Sequence, residues 1–366
     1  VKLENYPYPD RSFLLRNDSR EENDIHFTDI TKDTGEGLAK IGLVSSALWT
    51  DFDQDGWIDL ILAGEWMPIT IYRNIEGKFV DITPNSGLAE YTGWWNSLTG
   101  ADFDRDGDID YLAGNHGLNS RYKVSQEQPM QVIAKDFDKN GIIDPVCTYY
   151  VQGQQYPIYH RNIMIDQIPF LRMRYEHYED YARATFDDIF SEDQLEGAYS
   201  ANSRYFNSAF IENHGDGTFN VRSLPLEAQF GPVFGLLADD YNADGNFDIL
   251  LIGNSYSFNV QDGQYDALIG LYLEGDGKGN FQPVPGRESG FFVDGDAKGM
   301  AGLTMSDGRS LILAAQNSGA LKVYEAGIPA EKTVRLQPED VSAVISYNHG
   351  GKEFREFYYG SGYLSN

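Results

Sequence analysis

The sequence predicts an all-β protein built from repeated sheet units in the manner of a β-propeller, and three observations lead there. An aspartate-rich loop recurs four times, each copy lies between apolar runs of strand length, and turns of the Gly–Phe type close several of the units. The 38 glycines, 24 tyrosines and 21 phenylalanines suit a turn-rich β architecture.

Taken in chain order, "SFLLRND" (12–18) reads as the last strands of a unit whose beginning is absent. "RNDSREENDIHFTDIT" (16–31) is a long form of the closing turn, whose shorter forms are "RNIEGKFVDIT" (73–83), "ENHGDGTFNV" (212–221) and "EGDGKGNFQPV" (274–284). A tight turn followed by a strand with an inward aromatic accounts for this pattern. The loops are "DFDQDGWIDL" from Asp51, "DFDRDGDIDY" from Asp102, "DFDKNGIIDP" from Asp136 and "DYNADGNFDI" from Asp240. Their starts are separated by 51, 34 and 104 residues, and the last interval reads as two units of about 52 residues. "VDGDAKGMAGL" (293–303) has the position of a further unit but lacks the loop, so no metal is assigned there.

Each loop keeps Asp or Asn at positions 1, 3 and 5, Gly at 6 and Asp at 9. Carboxylates this close repel one another, and a hard cation resolves the repulsion. Calcium takes roughly 6–8 oxygen ligands, and the glycine permits the bend that aims them into one concavity. The candidate side-chain ligands are Asp51, Asp53, Asp55 and Asp59, then Asp102, Asp104, Asp106 and Asp110. Asp136, Asp138, Asn140 and Asp144 form the third set, and Asp240, Asn242, Asp244 and Asp248 the fourth. Position 7 is Trp57, Asp108, Ile142 or Asn246, a variety that fits a backbone carbonyl ligand. Cys and His are not placed to ligate, which disfavours zinc, and magnesium prefers a stricter octahedral shell. About four structural calcium ions are expected. An EF-hand is excluded, because position 12 is Leu62, Ala113, Cys147 or Leu251 instead of Glu, and the flanks read as strands.

These residues resemble FG-GAP/VCBS repeats, the blade unit of integrin α-subunit propellers. "WTDFDQDGWIDLILAGEWMPITIYRN", "GWWNSLTGADFDRDGDIDYLAGNHGLNS" and "FYYGSGYLS" also resemble large bacterial cell-surface proteins that combine such repeats with an ASPIC/UnbV-type module. The resemblance implies calcium at the four loops and a ring of seven blades, of which five or six blade-like units are visible. It further implies a location outside the cell or at the bacterial cell surface. Additional domains of a longer chain are compatible with it.

The interval between the third and fourth loops differs from the rest. Leu171, Tyr175, Tyr178, Ala182, Thr185 and Ile189 follow a helical period, with Arg172, Glu176, Glu179, Arg183 and Asp187 on the other side and Pro169 at the start. The expected organisation is propeller units over 1–165, a helical insertion over 166–198, further units over 199–326 and an interrupted C-terminal β segment over 327–366.

A formal charge of −28 argues against nucleic acid and anionic membrane surfaces, and no apolar run is long enough to span a membrane. The start "VKLENYPYPD" carries no signal-peptide pattern. The single cysteine, Cys147, reads as a buried inert thiol. His116, His160 and His177 are scattered, and no nucleophile elbow, phosphate loop or zinc-protease motif is present. Trp66, Trp94, Trp95, Tyr149 and Tyr150 are read either as core packing or as a stacking platform for sugar rings. The leading expectation is a noncatalytic calcium-binding scaffold for a glycan or protein partner. A polysaccharide lyase or hydrolase on the same fold and an integrin-like adhesion module remain the alternatives.

Overall fold

The computed structural model describes residues 6–20, 25–35, 37–257, 262–327, 337, 340–346 and 352–358. A hairpin of β1 (Leu15–Asn17) and β2 (Phe27–Asp29) precedes the helical turn α1 (Thr31–Thr34). Sheet 1 is an antiparallel meander of β3 (Leu43–Thr50), β4 (Asp59–Met67), β5 (Thr70–Ile75) and β6 (Lys78–Asp81), with β7 (Gly93–Trp94) paired to the far end of β4. The Asp-Ile-Thr sequence shared by the two closing turns does the same work in each. The Thr31 hydroxyl accepts the Leu14 N–H at 2.7 Å, and the Thr83 hydroxyl accepts the Ile71 N–H at 2.9 Å. Asp29 and Asp81 in turn accept the amides of those threonines.

Sheet 2 opens with β8 (Ser97–Ala101) and β9 (Asp110–Gly114), and then the chain leaves it. It builds β10 (Met130–Lys135), β11 (Asp144–Val151) and β12 (Gln154–Pro157), five short helices, and β13 (Tyr199–Ser203), which returns beside β10. The helices are α2 (Arg161–Gln167), α3 (Leu171–Arg174), α4 (Tyr178–Arg183), α5 (Phe186–Ile189) and α6 (Glu192–Leu195). Only afterwards does β14 (Ala209–Asn213) pair with β9, and β15 (Phe219–Ser223) completes sheet 2. Residues 115–208 are therefore a nested module within one sheet. Its two ends are tied together: the Asn115 N–H donates to the Ser208 hydroxyl at 3.1 Å, the Asn115 amide to the Tyr205 carbonyl, and the Gly117 N–H to the Phe206 carbonyl at 2.7 Å.

This nesting corrects two expectations. The interval from the third to the fourth loop is not two successive units, because the third loop belongs to the nested sheet. Nor is the helical face from Leu171 to Ile189 one helix. The backbone is extended at Ala184, and Thr185 with Asp188 forms a capping box that starts a fresh helix. Leu171, Tyr175 and Ile189 still point into the core formed with Ile133 and Val146 of the nested sheet, whereas Tyr178 is 59% exposed.

Sheet 3 is β16 (Val233–Asp239), β17 (Asp248–Gly253), β18 (Leu271–Gly275) and β19 (Phe281–Val284). After α7 (Gly286–Ser289), sheet 4 is β20 (Ala297–Thr304), β21 (Ser310–Gln316) and β22 (Lys322–Glu325). In sheet 4 a short turn, Met305–Arg309, stands where the first three sheets have the nine-residue loop, and the Met305 N–H bonds the Arg309 carbonyl.

The four sheets stack face to face in chain order, with first strands β3, β8, β16 and β20 side by side. Ile61 and Ile71 of sheet 1 meet Tyr111 and Ile211 of sheet 2. Leu112 and Phe210 of sheet 2 meet Ile249 and Leu251 of sheet 3, and Leu250 and Ile252 meet Ile312 and Ala314 of sheet 4. The second strand of sheet 3 is thus covered on both faces, and that of sheet 1 is covered on its outer face by Leu14 and Leu38, which is why "DLILAG" and "DILLIG" are apolar almost throughout instead of alternating. The hairpin of β23 (Ser342–Ser346) and β24 (Lys352–Glu356) lies against β8. Glu356 there accepts from the Thr50 hydroxyl at 2.6 Å and the Asp51 N–H at 2.8 Å, and Arg355 pairs with Asp239. Among the described residues the sheets form an open series and do not close into a ring. The remainder of the C-terminal segment, including "GSGYLSN", lies outside the described residues.

Candidate metal centres

The four loops share one backbone. Position 4 is left-handed in every copy, at Gln54, Arg105, Lys139 and Ala243, with φ between 54° and 64°. Position 6 is a glycine at φ 86° to 101°. These two turns fold the loop around its first side chain. The Asp51, Asp136 and Asp240 carboxylates each accept the N–H groups of positions 5 and 6, at 2.8–3.2 Å. In every copy the side chain at position 5 accepts the N–H of position 7.

The last aspartate has a second task that the sequence reading did not assign. Asp59, Asp110, Asp144 and Asp248 are all at most 1% exposed. Asp59 accepts the Phe52 N–H at 3.3 Å and the Asn74 N–H at 2.7 Å, so it staples the loop to the third strand of its sheet. Asp110 accepts the Asn213 N–H at 2.9 Å, and Asp248 accepts the N–H groups of Tyr241 and Gly275. Asn74 and Asn213 complete the joint by donating their side-chain amides to the carbonyls of Ile58 and Ile109. The repeated Asn or Gly at the start of the closing turn is the residue stapled in each of sheets 1–3 and was the one signal of this in the sequence.

The acidic groups converge unequally. Asp51, Asp53 and Asp59 bring carboxylate oxygens within 4.8 Å of one another, as do Asp102, Asp104 and Asp106, and Asp136, Asp138 and Asp144. These three clusters can hold a metal ion. At the fourth loop no such acidic triple is gathered among the described residues: Asn242 donates to Glu274 at 2.8 Å, and the Tyr272 hydroxyl occupies Asp248 at 2.7 Å. At the first loop Arg73 reaches Asp53 at 2.6 Å and Asp55 at 3.0 Å, supplying a positive charge from the protein itself. Asn140 likewise donates its amide to Asp138 at the third.

Among the described residues the second loop has no such partner. Buried oxygens of Asp102, Asp108 and Asp110 (Oδ1, Oδ1 and Oδ2) lack hydrogen-bond donors. Burial and then neighbouring carboxylates raise Asp102 to about 6, Asp108 to about 7 and Asp110 to about 8. Burial raises Asp59 to about 7 in the same way. Orphaned carboxylate oxygens in a set free of Cys and His fit a hard divalent cation.

The loops also divide by location. The Gln54 amide donates to the Gly107 carbonyl at 2.6 Å, and the Arg105 side chain lies against Gly245 and Gly277. The first, second and fourth loops therefore form a row at one end of the stacked sheets. The nested module leaves from the other end of β9 and carries the third loop with it.

Of the residues considered for other chemistry, Trp66 and Trp95 are buried, and Trp94 packs edge-on to Trp66 at 5.1 Å, so the tryptophans are core and not a platform. Tyr149 does line an open cleft. His116 is enclosed by the rings of Trp94, Phe206 and Tyr265 at 4.8–5.0 Å, and burial lowers its pKa to about 3. His160 caps α2, and His177 precedes α4 on the surface. Cys147 is buried in β11, and burial pushes its thiol up to about 12. No helix among the described residues is long and apolar enough to cross a membrane.

A family model described as an FG-GAP-like repeat matches residues 51–113, the stretch that holds the first two loops and strands β4 to β9. No curated protein matches the chain. The crystal structure of the Vibrio cholerae biofilm matrix protein Bap1 aligns with 11% identity and a TM-score of 0.17, covering 77% of this chain and 53% of that one. The chain thus spans about half the length of that structure. Between Asp51 and Ala113 this protein is similar to an FG-GAP-like repeat.

Proposed function

We propose that the chain is a noncatalytic, calcium-binding scaffold of the FG-GAP propeller type that binds a glycan or protein partner outside the cell or at the bacterial cell surface. The second loop carries the proposal: three buried carboxylate oxygens there have no donor among the described residues, which suits a cation, and the other loops repeat its backbone. Asp102, Asp104 and Asp106 would hold the ion there, with Asp51, Asp53 and Asp59, and Asp136, Asp138 and Asp144, as the gathered sets at the first and third loops, joined by Asp55 and Asn140 at position 5. Asp240, Asn242 and Asp244 form a weaker fourth site, for a total of about four ions. The aspartates at position 9 serve as staples as well, and those of the first and third loops, Asp59 and Asp144, lie close enough to share the ion. Bound calcium neutralises each loop and stabilises the native state by mass action.

The scaffold reading is favoured over a lyase or hydrolase because the acidic triples gathered among the described residues belong to the loops, and His116 is sealed among aromatic rings. A ring completed to seven blades, and an ASPIC/UnbV-type module in the complete polypeptide, belong to the same proposal. Melting the full chain with excess calcium and with a chelator tests it. One site at a hundredfold excess over its Kd contributes about 2.7 kcal/mol. Several sites should therefore lower the melting temperature by roughly 10 °C or more on chelation. An identical melting curve in both conditions would refute the metal sites.

A further inference from the structure

The nested module contains an open cleft of about 830 Å³ between the β11–β12 edge and helices α2 and α4. That volume falls in the range of small-ligand sites, roughly 300–1,000 Å³. Its lining is unlike the rest of the molecule. Five of the lining residues are tyrosines, two are arginines, and none is Asp or Glu, in a chain with 56 acidic residues.

The tyrosines are held as surfaces. Tyr178 is 59% exposed, yet its hydroxyl donates to Asn162 at 2.7 Å and Arg161 stacks on its ring at 5.1 Å. Tyr181 donates to the Tyr159 carbonyl at 2.8 Å, and Tyr149 meets Tyr122 edge-on at 5.3 Å. A ring fixed at its hydroxyl and open on a face costs little entropy when a second flat, C–H-lined ring settles on it. Arg161 is fixed as well, through the carbonyls of Tyr175 at 2.6 Å and Glu176 at 3.0 Å. No carboxylate pairs with it among the described residues, so its charge is not neutralised from within. Arg121, at the other side, is partly neutralised by Asp262 at 2.7 Å.

We propose that this cleft binds an acidic oligosaccharide, with sugar rings stacked on Tyr178 and Tyr149 and a ring carboxylate facing Arg161. This deepens the scaffold reading and rests on it for the choice of a glycan over a peptide. An uncharged glycan would gain nothing from the exclusion of carboxylates. The acidic loops lie elsewhere, so the site does not depend on calcium bridging between protein and sugar.

The test is calorimetric titration of the calcium-loaded full chain with a panel of uronate-containing hexasaccharides, hyaluronan first, each beside its carboxyl-reduced counterpart. At least one acidic member should bind about tenfold or more tightly than its reduced form. Arg161→Gln should erase that difference, and Tyr178→Ala should weaken both forms by about tenfold. Tyr178 is exposed, so Tyr178→Ala should leave the melting temperature unchanged and keeps the test informative if Arg161→Gln disturbs the helices. Calcium uptake is measured on the same samples. Normal uptake with glycan binding indifferent to both variants, or with binding of acidic peptides alone, overturns this site and leaves the calcium scaffold standing. Failed uptake overturns the scaffold itself, and with it the basis for choosing a glycan.

Discussion

At one end of sheets 1–3, carboxylates crowd into loops shaped by backbone N–H groups; at the other end, the nested module presents a cleft lined by tyrosine and arginine with no acidic group. The loop end gains its form from local chemistry repeated along the chain, an aspartate, a left-handed residue and a glycine at fixed offsets. The cleft depends on a single excursion of residues 115–208, in which nothing but the third loop is repeated. The difference teaches where each kind of information resides. Repeats announce structural parts, whereas a one-off insertion within a repeat is where recognition can be added without disturbing the stack.

The comparison can be broken most severely at a staple. Asp59→Ala leaves the buried amides of Phe52 and Asn74 without an acceptor, and the expected loss is on the order of 3 kcal/mol in denaturant titrations, with or without calcium. A loss seen only with calcium would make Asp59 a ligand first and a staple second. Asp104→Asn separates the two roles from the other side. It should leave the chelated protein as stable as before, within about 1 kcal/mol, because it relieves repulsion, while lowering the stabilisation that calcium adds at the second loop.

A smaller effect belongs to the neck of the nested module. His116 is neutral in the folded chain because burial lowers its pKa to about 3, whereas in the unfolded chain it takes up a proton below about 6.5. Its contribution is therefore intact above about pH 6.5 and declines as pH falls, by up to about 1.4 kcal/mol per pH unit. Stability measured from pH 7 to pH 5 should fall more steeply in the native protein than in His116→Phe. Parallel slopes would mean that the imidazole is protonated in the fold or reached by water. Cys147 marks the bottom of the scale: a thiol reagent should leave it unmodified until the chain unfolds, since its thiol is buried and raised to about 12.

Much of the loop end was legible in the sequence. The spacing of Asp, Asn and Gly gave the shared bend, the apolar runs gave the strands on either side, and residues 51–113 are FG-GAP-like. The staple was not legible as such, because an aspartate that accepts backbone amides and one that faces a cation are the same letter. The nesting was harder still. The third loop obeys the motif, and only the absence of a closing turn between Gly114 and Tyr199, with "ENHGDGTFNV" arriving long after β9, hints that sheet 2 is interrupted. Helical periodicity marked the right inward residues at Leu171, Tyr175 and Ile189 but could not register the break that the Thr185 capping box imposes. The tryptophans were legible as large apolar groups, but whether they face sugar or core is decided by sheet packing.

The most direct test of the central claim is calorimetric titration of the chelator-treated full chain with calcium. The account predicts saturable uptake of about four ions, the fourth weaker because Asn242 and Tyr272 already engage the groups at that loop, and one fewer strong site in Asp104→Asn. No uptake by the native chain, or full uptake by a variant with all of Asp102, Asp104 and Asp106 changed to Asn, would contradict it.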